Sequence, residues 1–159
     1  MPTAKSSAFA AAVDATPHLQ GQLKAGLQAL PARDHANLAT SNPRRLVGSV
    51  FVDDALKTVY PQANRWDYAI ATVDAKGKET VHWVEVHGAQ NETDAKELIR
   101  KRKWLETWWS GDGRQVAALK PRVIVYLSSS GSVGLSKLTP VYRQLAELGM
   151  LPKGRYSLC

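Results

Sequence analysis

The chain has 159 residues, 44% of them hydrophobic, and its 21 Lys and Arg against 14 Asp and Glu give a net charge of +7. This length and apolar content suit one domain with a buried core. No apolar run approaches the roughly 20 residues that cross a bilayer, and the sole cysteine, Cys159, leaves no disulfide framework or Cys-based zinc motif. We therefore expect a cytoplasmic protein without membrane association, with a flexible tail over residues 1–15 and one α/β domain over residues 16–159. Within that tail, only the run AFAAAV has the composition to extend a helix.

The positive charge is clustered, most densely in the segment KELIRKRKW at residues 96–104. Nucleic acid is the expected partner, because clustered positive charge raises the local concentration of polyanions. A solvated, solubilising surface explains the same charge, and a protein partner is the alternative. The sequence carries no signal for the oligomeric state.

The first half of the chain gives mixed signals. The spacing of four leucines between residues 19 and 30 predicts an amphipathic helix over residues 17–30, followed by a loop. The segment LVGSVFVDDALKTVYP predicts a strand and then a short helix capped by Asp53. A single longer helix over residues 43–60 is the alternative interpretation.

A β-hairpin is the strongest local prediction. RWDYAIATVD (65–74) and TVHWVEVHG (80–88) are rich in β-branched and aromatic residues and flank a Lys-Gly turn. If the loop is residues 75–77 with Gly77 left-handed, the register sets Asp67 directly opposite Glu85. Two facing carboxylates destabilise a sheet unless a cation lies between them or one is protonated.

Helical patterning resumes over residues 92–109, and PRVIVYLSSS (121–130) predicts a strand that is hydrophobic on both faces and therefore internal. A helix over residues 138–148 and an edge strand in the C-terminal tail complete the sequence of elements. This order predicts a three-layer α/β sandwich around a central mixed sheet of about four to five strands.

Several polar residues of the hairpin and the next helix share one side. Period-two alternation puts Glu85 and His87 on one face of their strand, and Asp67 shares its face with small alanines. Helical phase places Lys101 within an apolar stripe, where an ammonium group requires a carboxylate, a carbonyl or a substrate to face. A lysine that snorkels at the edge of the core is the alternative.

Asp67 on one hairpin strand and Glu85-Val86-His87 on the next resemble the motif of the PD-(D/E)XK nuclease-like superfamily, which includes restriction endonucleases and Holliday-junction resolvases. The resemblance covers residues 46–127 and implies a restriction-endonuclease-like αβββαβ core. It also implies Mg²⁺ or Mn²⁺ held by Asp67, Glu85 and the Val86 carbonyl, and hydrolysis of phosphodiester bonds in DNA or RNA. Here His87 replaces the lysine of the motif. Superfamily members also carry that lysine on the following helix, where Lys101 has the suitable phase.

The catalytic candidates are therefore Asp67, Glu85, His87 and Lys101, with His87 as a base or a phosphate-binding group. The expected nucleic-acid contacts are Arg65, Arg102 and Lys103. The alternative is a catalytically inactive module of the same fold that binds nucleic acid or a protein partner, with the acids held in structural ion pairs. Three tryptophans at helical spacing, at positions 104, 108 and 109, predict core packing rather than base stacking.

Overall fold

A computed structural model describes residues 7–159 of the chain. In chain order its elements are α1 (Ala8–Ala15), α2 (Ala32–His35), β1 (Leu38–Ala39), β2 (Leu46–Phe51), α3 (Val52–Leu56), β3 (Tyr68–Val73), β4 (Glu79–His87), α4 (Glu92–Ser110), α5 (Arg114–Ala117), β5 (Arg122–Ser128), α6 (Pro140–Glu147) and β6 (Tyr156–Ser157). A 3₁₀ turn at Pro43–Arg45 precedes β2.

Four strands form one mixed sheet in the order β2-β3-β4-β5. β2, β3 and β4 are antiparallel neighbours, whereas β5 runs parallel to β4 after the crossover through α4 and α5. This confirms the predicted α/β class with a mixed sheet. β5 lies at the end of the sheet and is not internal as predicted. Its outer edge is still occupied in part, because the Lys153 backbone donates to the Tyr126 carbonyl (2.9 Å) and accepts from the Ser128 N–H (2.8 Å).

The hairpin has the predicted register. Gly77 adopts the left-handed conformation with φ of 84°, and the Asp74 N–H donates to the Lys78 carbonyl at 2.9 Å. Tyr68 pairs with Val84 as the last aligned pair of β3 and β4. One position further along, Asp67 therefore faces Glu85.

The two faces of the sheet are covered differently. On one face, Trp83 and its neighbours pack against α1, α3, α4 and α6 in the larger hydrophobic cluster. On the other face, Ile70 and Val84 pack against Leu30, Leu158 and the β1–β6 pair. The predicted third layer is therefore formed by turns, the short α2 and a two-stranded parallel sheet, which includes the predicted C-terminal strand as β6.

The N-terminal segment is more ordered than predicted. Residues 8–15 form α1, which begins after Ser7, whose hydroxyl accepts from the Ala10 N–H. Phe9 is completely buried, and its N–H donates to the Glu79 carboxylate at 2.8 Å. The prediction of a tail over residues 1–15 is therefore wrong from residue 8 onward. Residues 1–6 lie outside the described part of the chain.

The predicted helix over residues 17–30 is replaced by turns. Left-handed backbone at His18, Gly21 and Gly26 interrupts any continuous helix. The leucines of the apparent stripe divide between the two cores, with Leu19 in the larger cluster and Leu30 in the smaller one. The helical spacing of these leucines thus reflects burial in two separate clusters and not one face of a helix.

The next segment follows the strand-then-helix prediction, because β2 leads directly into α3 and no single helix spans residues 43–60. Asp53 is not the cap of α3. It lies in the first turn, and Phe51 occupies the cap position without a side-chain hydrogen bond.

The long helix α4 is capped at its N-terminus by Asn91, whose side chain accepts from the Asp94 N–H. Asp94 and Glu92 in its first turn complement the positive end of the helix dipole. Within residues 7–159, no helix combines the length and apolar character that a bilayer crossing requires.

Candidate functional site

Asp67 and Glu85 meet where β3 begins and β4 approaches its end. The Asp67 N–H donates to Glu85 Oε1 at 2.9 Å, and Asp67 Oδ2 accepts from the Val86 N–H at 3.0 Å. The two carboxyl groups thus lie side by side, joined through the Asp67 backbone. The predicted pairing of the two acids across the hairpin is confirmed, and among the residues that the structure describes neither acid forms an ion pair with an arginine.

Burial and mutual repulsion make this pair an unusual acid site. Glu85 has no exposed surface, and its burial, followed by the charge of Asp67, raises its pKa well above the ordinary value. Burial also raises the pKa of Asp67, although Lys101 and the Val86 N–H act against that rise. A positive charge beside the two carboxyl groups, in addition to that of Lys101, would therefore be stabilised.

Lys101 supplies the first positive charge. Its Nζ lies 2.5 Å from Glu85 Oε2, and its side chain is 17% exposed. Burial by itself would lower the pKa of Lys101, but attraction to Glu85 and Asp67 outweighs burial and the net shift is upward. The lysine that helical phase placed in the apolar stripe thus faces a carboxylate as predicted, and it stays charged at neutral pH.

An open cavity of about 310 Å³ lies at this end of the sheet. Its lining combines residues from five separate parts of the chain: Arg33, Asp34, Phe51, Asp53, Asp67, Tyr68, Val86 and Ser129. The cavity is reached from solvent beyond the carboxyl ends of the parallel strands β4 and β5, where α/β proteins commonly bind ligands. Asp67 thus joins an accessible cavity to the buried Glu85–Lys101 pair.

A second acid beside the cavity is held by an arginine. Arg65 Nε donates to Asp53 Oδ1 at 2.8 Å, and Arg65 Nη1 donates to the Tyr60 carbonyl at 2.5 Å. The Arg65 side chain is 16% exposed. Arg65 therefore positions Asp53 at the cavity. The sequence analysis assigned Arg65 to nucleic-acid binding and did not predict its ion pair with Asp53.

Arg33 and Asp34 are cavity residues that the sequence analysis missed. Asp34 accepts a hydrogen bond from the Tyr68 hydroxyl, and the Arg33 side chain is 81% exposed at the cavity wall. Both belong to a segment that was read only as a loop. No local pattern could have placed them beside Asp67, because the contact joins residues more than 30 positions apart.

His87 lies on the same side of β4 as Glu85 but is engaged with α4. Its Nε2 is 3.3 Å from Glu97 Oε2, and its side chain is 21% exposed. The histidine does not line the cavity that contains Asp67. It therefore stands at the edge of the site, and its predicted role as a base remains a prediction.

Arg102 and Lys103 have opposite environments. The Arg102 side chain is only 10% exposed, with its guanidinium over the Trp109 ring at 5.2 Å and its Nη1 3.0 Å from Glu106 Oε1. Arg102 is therefore not available to a phosphate, and that prediction is wrong, because the side chain shares the buried face of α4. Lys103 is exposed, as its predicted role requires.

Across residues 7–159, no group of three or more His, Cys, Asp or Glu side chains is arranged to hold a metal ion. The expected metal site has only two such side chains, Asp67 and Glu85, because its expected third ligand is the backbone carbonyl of Val86. Comparisons of the chain with protein-family models, with curated proteins and with solved structures find no match.

Proposed function

We propose that this protein is a metal-dependent nuclease-like enzyme that hydrolyses phosphodiester bonds in DNA or RNA. The observation that carries the proposal is the carboxyl pair of Asp67 and Glu85 in contact with Lys101, beside an open cavity. The order of the longer elements, α1, β2, β3, β4, α4 and β5, supports it, since an αβββαβ order is expected of a restriction-endonuclease-like fold and only short elements lie between them.

The donor set suits a divalent metal. Carboxylate and carbonyl oxygens are the ligands that Mg²⁺ and Mn²⁺ prefer, and Asp67, Glu85 and the Val86 carbonyl would hold the ion. Burial raises the pKa of both acids, and the charge of Asp67 adds to the rise at Glu85, so a further positive charge beside them would be favourable. A bound divalent ion would polarise a phosphate oxygen and generate hydroxide from water at neutral pH.

The residues of the chain have separate roles in this proposal. Lys101, which stays charged, pairs with Glu85 and acts against the burial that raises the pKa of both acids. The Val86 N–H fixes the orientation of the Asp67 carboxylate. Arg65 holds Asp53 at the cavity wall, and the exposed Arg33 adds positive charge for a phosphodiester.

Cleavage of labelled single-stranded and duplex DNA and RNA with Mg²⁺ or Mn²⁺ tests the proposal. The Asp67→Asn variant should lose cleavage by about 10³-fold, since it removes a charge that supports the metal. Asp54→Asn is the matched control, because Asp54 lies on the neighbouring helix α3, is exposed and, within residues 7–159, pairs with Lys57 alone. Retention of full activity by a folded Asp67→Asn variant would contradict the proposal.

A catalytically inactive module of the same fold is the second candidate. One observation favours it: Glu85 is completely buried and already neutralised by Lys101, as in a structural ion pair. Such a module would bind nucleic acid with an affinity that falls with salt and that Mg²⁺ does not change. Binding without cleavage, unaffected by Asp67→Asn, would select this candidate.

A further inference from the structure

A second, smaller pocket lies beside α4, with a volume of about 250 Å³. Its lining residues are Tyr60, Trp104, Thr107, Trp108, Gly111 and Asp112. Thr107 is exposed and Trp104 is half-buried, so the pocket opens to solvent. Sites for drug-sized molecules measure about 300–1,000 Å³. This pocket therefore suits a single ring system.

The walls of the pocket are flat and held in place. The rings of Trp104 and Trp108 are nearly parallel, at 8° with centroids 5.8 Å apart, and Tyr60 stands edge-on to Trp104 at 69°. Trp108 is 4% exposed and packs edge-on against Trp83 in the core. The aromatic surface is thus organised before a ligand arrives, which lowers the entropic cost of binding.

A carboxylate lies at the rim of this aromatic surface. The Tyr60 hydroxyl donates to Asp112 Oδ2 at 2.6 Å, and this hydrogen bond raises the pKa of Tyr60 to about 12. Tyr60 therefore remains a donor at neutral pH. Within residues 7–159 no donor engages Asp112 Oδ1, so this oxygen can accept an N–H group from a ligand.

Two connections join the pocket to the site at Asp67. Lys101 precedes Trp104 by three residues on α4, about 4.5 Å along the helix axis, and the two side chains share one side of the helix. Arg65 contacts both regions, through the Tyr60 carbonyl at 2.5 Å and Asp53 at 2.8 Å. Successive nucleotides rise about 3.4 Å per strand in a duplex and separate further when unstacked. The pocket and the site at Asp67 are thus linked through α4 and Arg65, so one strand of nucleic acid could contact both.

We propose that this aromatic pocket binds an unpaired nucleobase next to the reacting phosphate, and that the substrate is single-stranded or locally unwound nucleic acid. The inference rests on the proposed function. Every base has a π-face that can stack on indole, whereas a base inside a duplex has both faces covered. Asp112 would accept an amino or imino N–H from the base edge.

The exposed Lys103 extends the same binding path. The Thr107 hydroxyl donates to the Lys103 carbonyl at 3.1 Å, which places Lys103 one helical turn from the pocket wall. Its ammonium group can therefore contact a phosphate that neighbours the stacked base. A quaternary ammonium ion is a poorer occupant, because Trp104 and Trp108 are nearly parallel and only Tyr60 stands across them, and the net charge of +7 repels a cation.

The experiment measures binding separately from cleavage. In the full-length Asp67→Asn background, fluorescence anisotropy should show that a single-stranded oligonucleotide binds more tightly than its duplex. Trp104→Ala in that background should weaken single-strand binding about 5- to 100-fold, the usual effect of losing one stacked base. Trp104→Phe should retain most of the affinity, since it keeps a flat ring. Melting temperatures verify that each variant is folded.

A measurement on the unmodified chain keeps the test independent of variant stability. The indole N–H resonance of Trp104, assigned with Trp104→Phe, should shift when an oligothymidine is added. Equal affinity for single strand and duplex, or an unmoved Trp104 resonance, would overturn the inference, as would a shift with choline and none with oligothymidine. If cleavage is normal while Trp104→Ala binds like its parent, the pocket assignment fails and the proposed nuclease function stands. If Trp104-dependent binding occurs without cleavage, the hydrolytic function fails and the base pocket stands.

Discussion

Two buried ionisable residues of β4, three positions apart, have different surroundings. His82 is 4% exposed and Glu85 is not exposed at all, and alternation points them to opposite faces of the sheet. His82 lies between the Thr72 hydroxyl (2.9 Å) and the Tyr156 hydroxyl (2.8 Å). Burial lowers its pKa to about 4, so it is neutral, and both of its ring nitrogens have partners.

Glu85 is surrounded by charge instead. It contacts one like charge, Asp67, and one opposite charge, Lys101, and the pair of acids adjoins an open cavity. Such an arrangement costs stability unless a ligand completes it. Burial alone therefore does not indicate a functional group. A functional site is indicated by a buried ionisable group whose neighbours leave its charge unbalanced beside a solvent-accessible space.

The largest effect on stability should come from removing the cation beside Glu85. Lys101→Met should lower the free energy of unfolding at pH 7 by about 3–5 kcal/mol, because it leaves a buried carboxylate without its partner. Urea denaturation measures this change. Adding Glu85→Gln to Lys101→Met should recover much of the loss, since the uncompensated charge is gone. A double variant as unstable as Lys101→Met would show that Lys101 contributes by packing alone.

His82 should make the protein less stable in acid. Its pKa is about 4 in the folded chain and about 6.5 when unfolded, so between these values the unfolded chain binds more protons. Stability is therefore lost as pH falls through this window, by about 3 kcal/mol in total. Denaturant titrations from pH 7 to pH 4 should show a smaller loss in His82→Gln. Identical pH profiles for the two proteins would contradict the assignment.

Asp67→Asn should increase the stability of the folded protein, whereas Lys101→Met and acidification both decrease it. Because the pKa of Asp67 is raised in the folded protein, its ionised form is disfavoured there at neutral pH. The neutral amide can still accept from the Val86 N–H. We expect a gain of about 1 kcal/mol at pH 7, or about 2–4 °C in melting temperature. Asp54→Asn should leave the melting temperature nearly unchanged, and a decrease with Asp67→Asn would remove the argument for unbalanced charge.

The smallest effect should distinguish two adjacent basic residues of α4. Lys103→Ala should reduce the salt dependence of nucleic-acid binding by about one unit of log–log slope, since it removes one phosphate contact. Arg102→Met should leave that slope unchanged but lower stability, because the guanidinium is buried against Trp109. Binding isotherms between low and moderate salt measure both. A reduced slope for Arg102→Met would reverse this distinction.

The parts of the fold that sequence predicted correctly are those set by local chemistry. The left-handed Gly77 fixed the hairpin register, and that register placed Asp67 opposite Glu85. Helical phase then brought Lys101 to the same face. Each of these steps depends only on the period of one element and the geometry of one turn.

The parts that sequence missed depend on contacts between distant segments. The leucines between residues 17 and 30 keep a helical spacing, yet Lys24 pairs with Ser49 at the edge of β2 and turns replace the helix. Arg102 is a separate case, because it shares the buried face of α4 with Trp109 on the same helix, and its charge alone suggested a surface cation. The cavity wall of Arg33 and Asp34 became visible only once tertiary structure placed it beside Asp67.

Manganese binding at neutral pH, measured by isothermal titration calorimetry on the full chain, probes the Asp67–Glu85 site without relying on cleavage. We expect the wild-type protein and Asp54→Asn to bind the ion and folded Asp67→Asn not to bind it. Equal binding by Asp67→Asn and the wild type, or no binding by the folded wild type, would contradict this expectation.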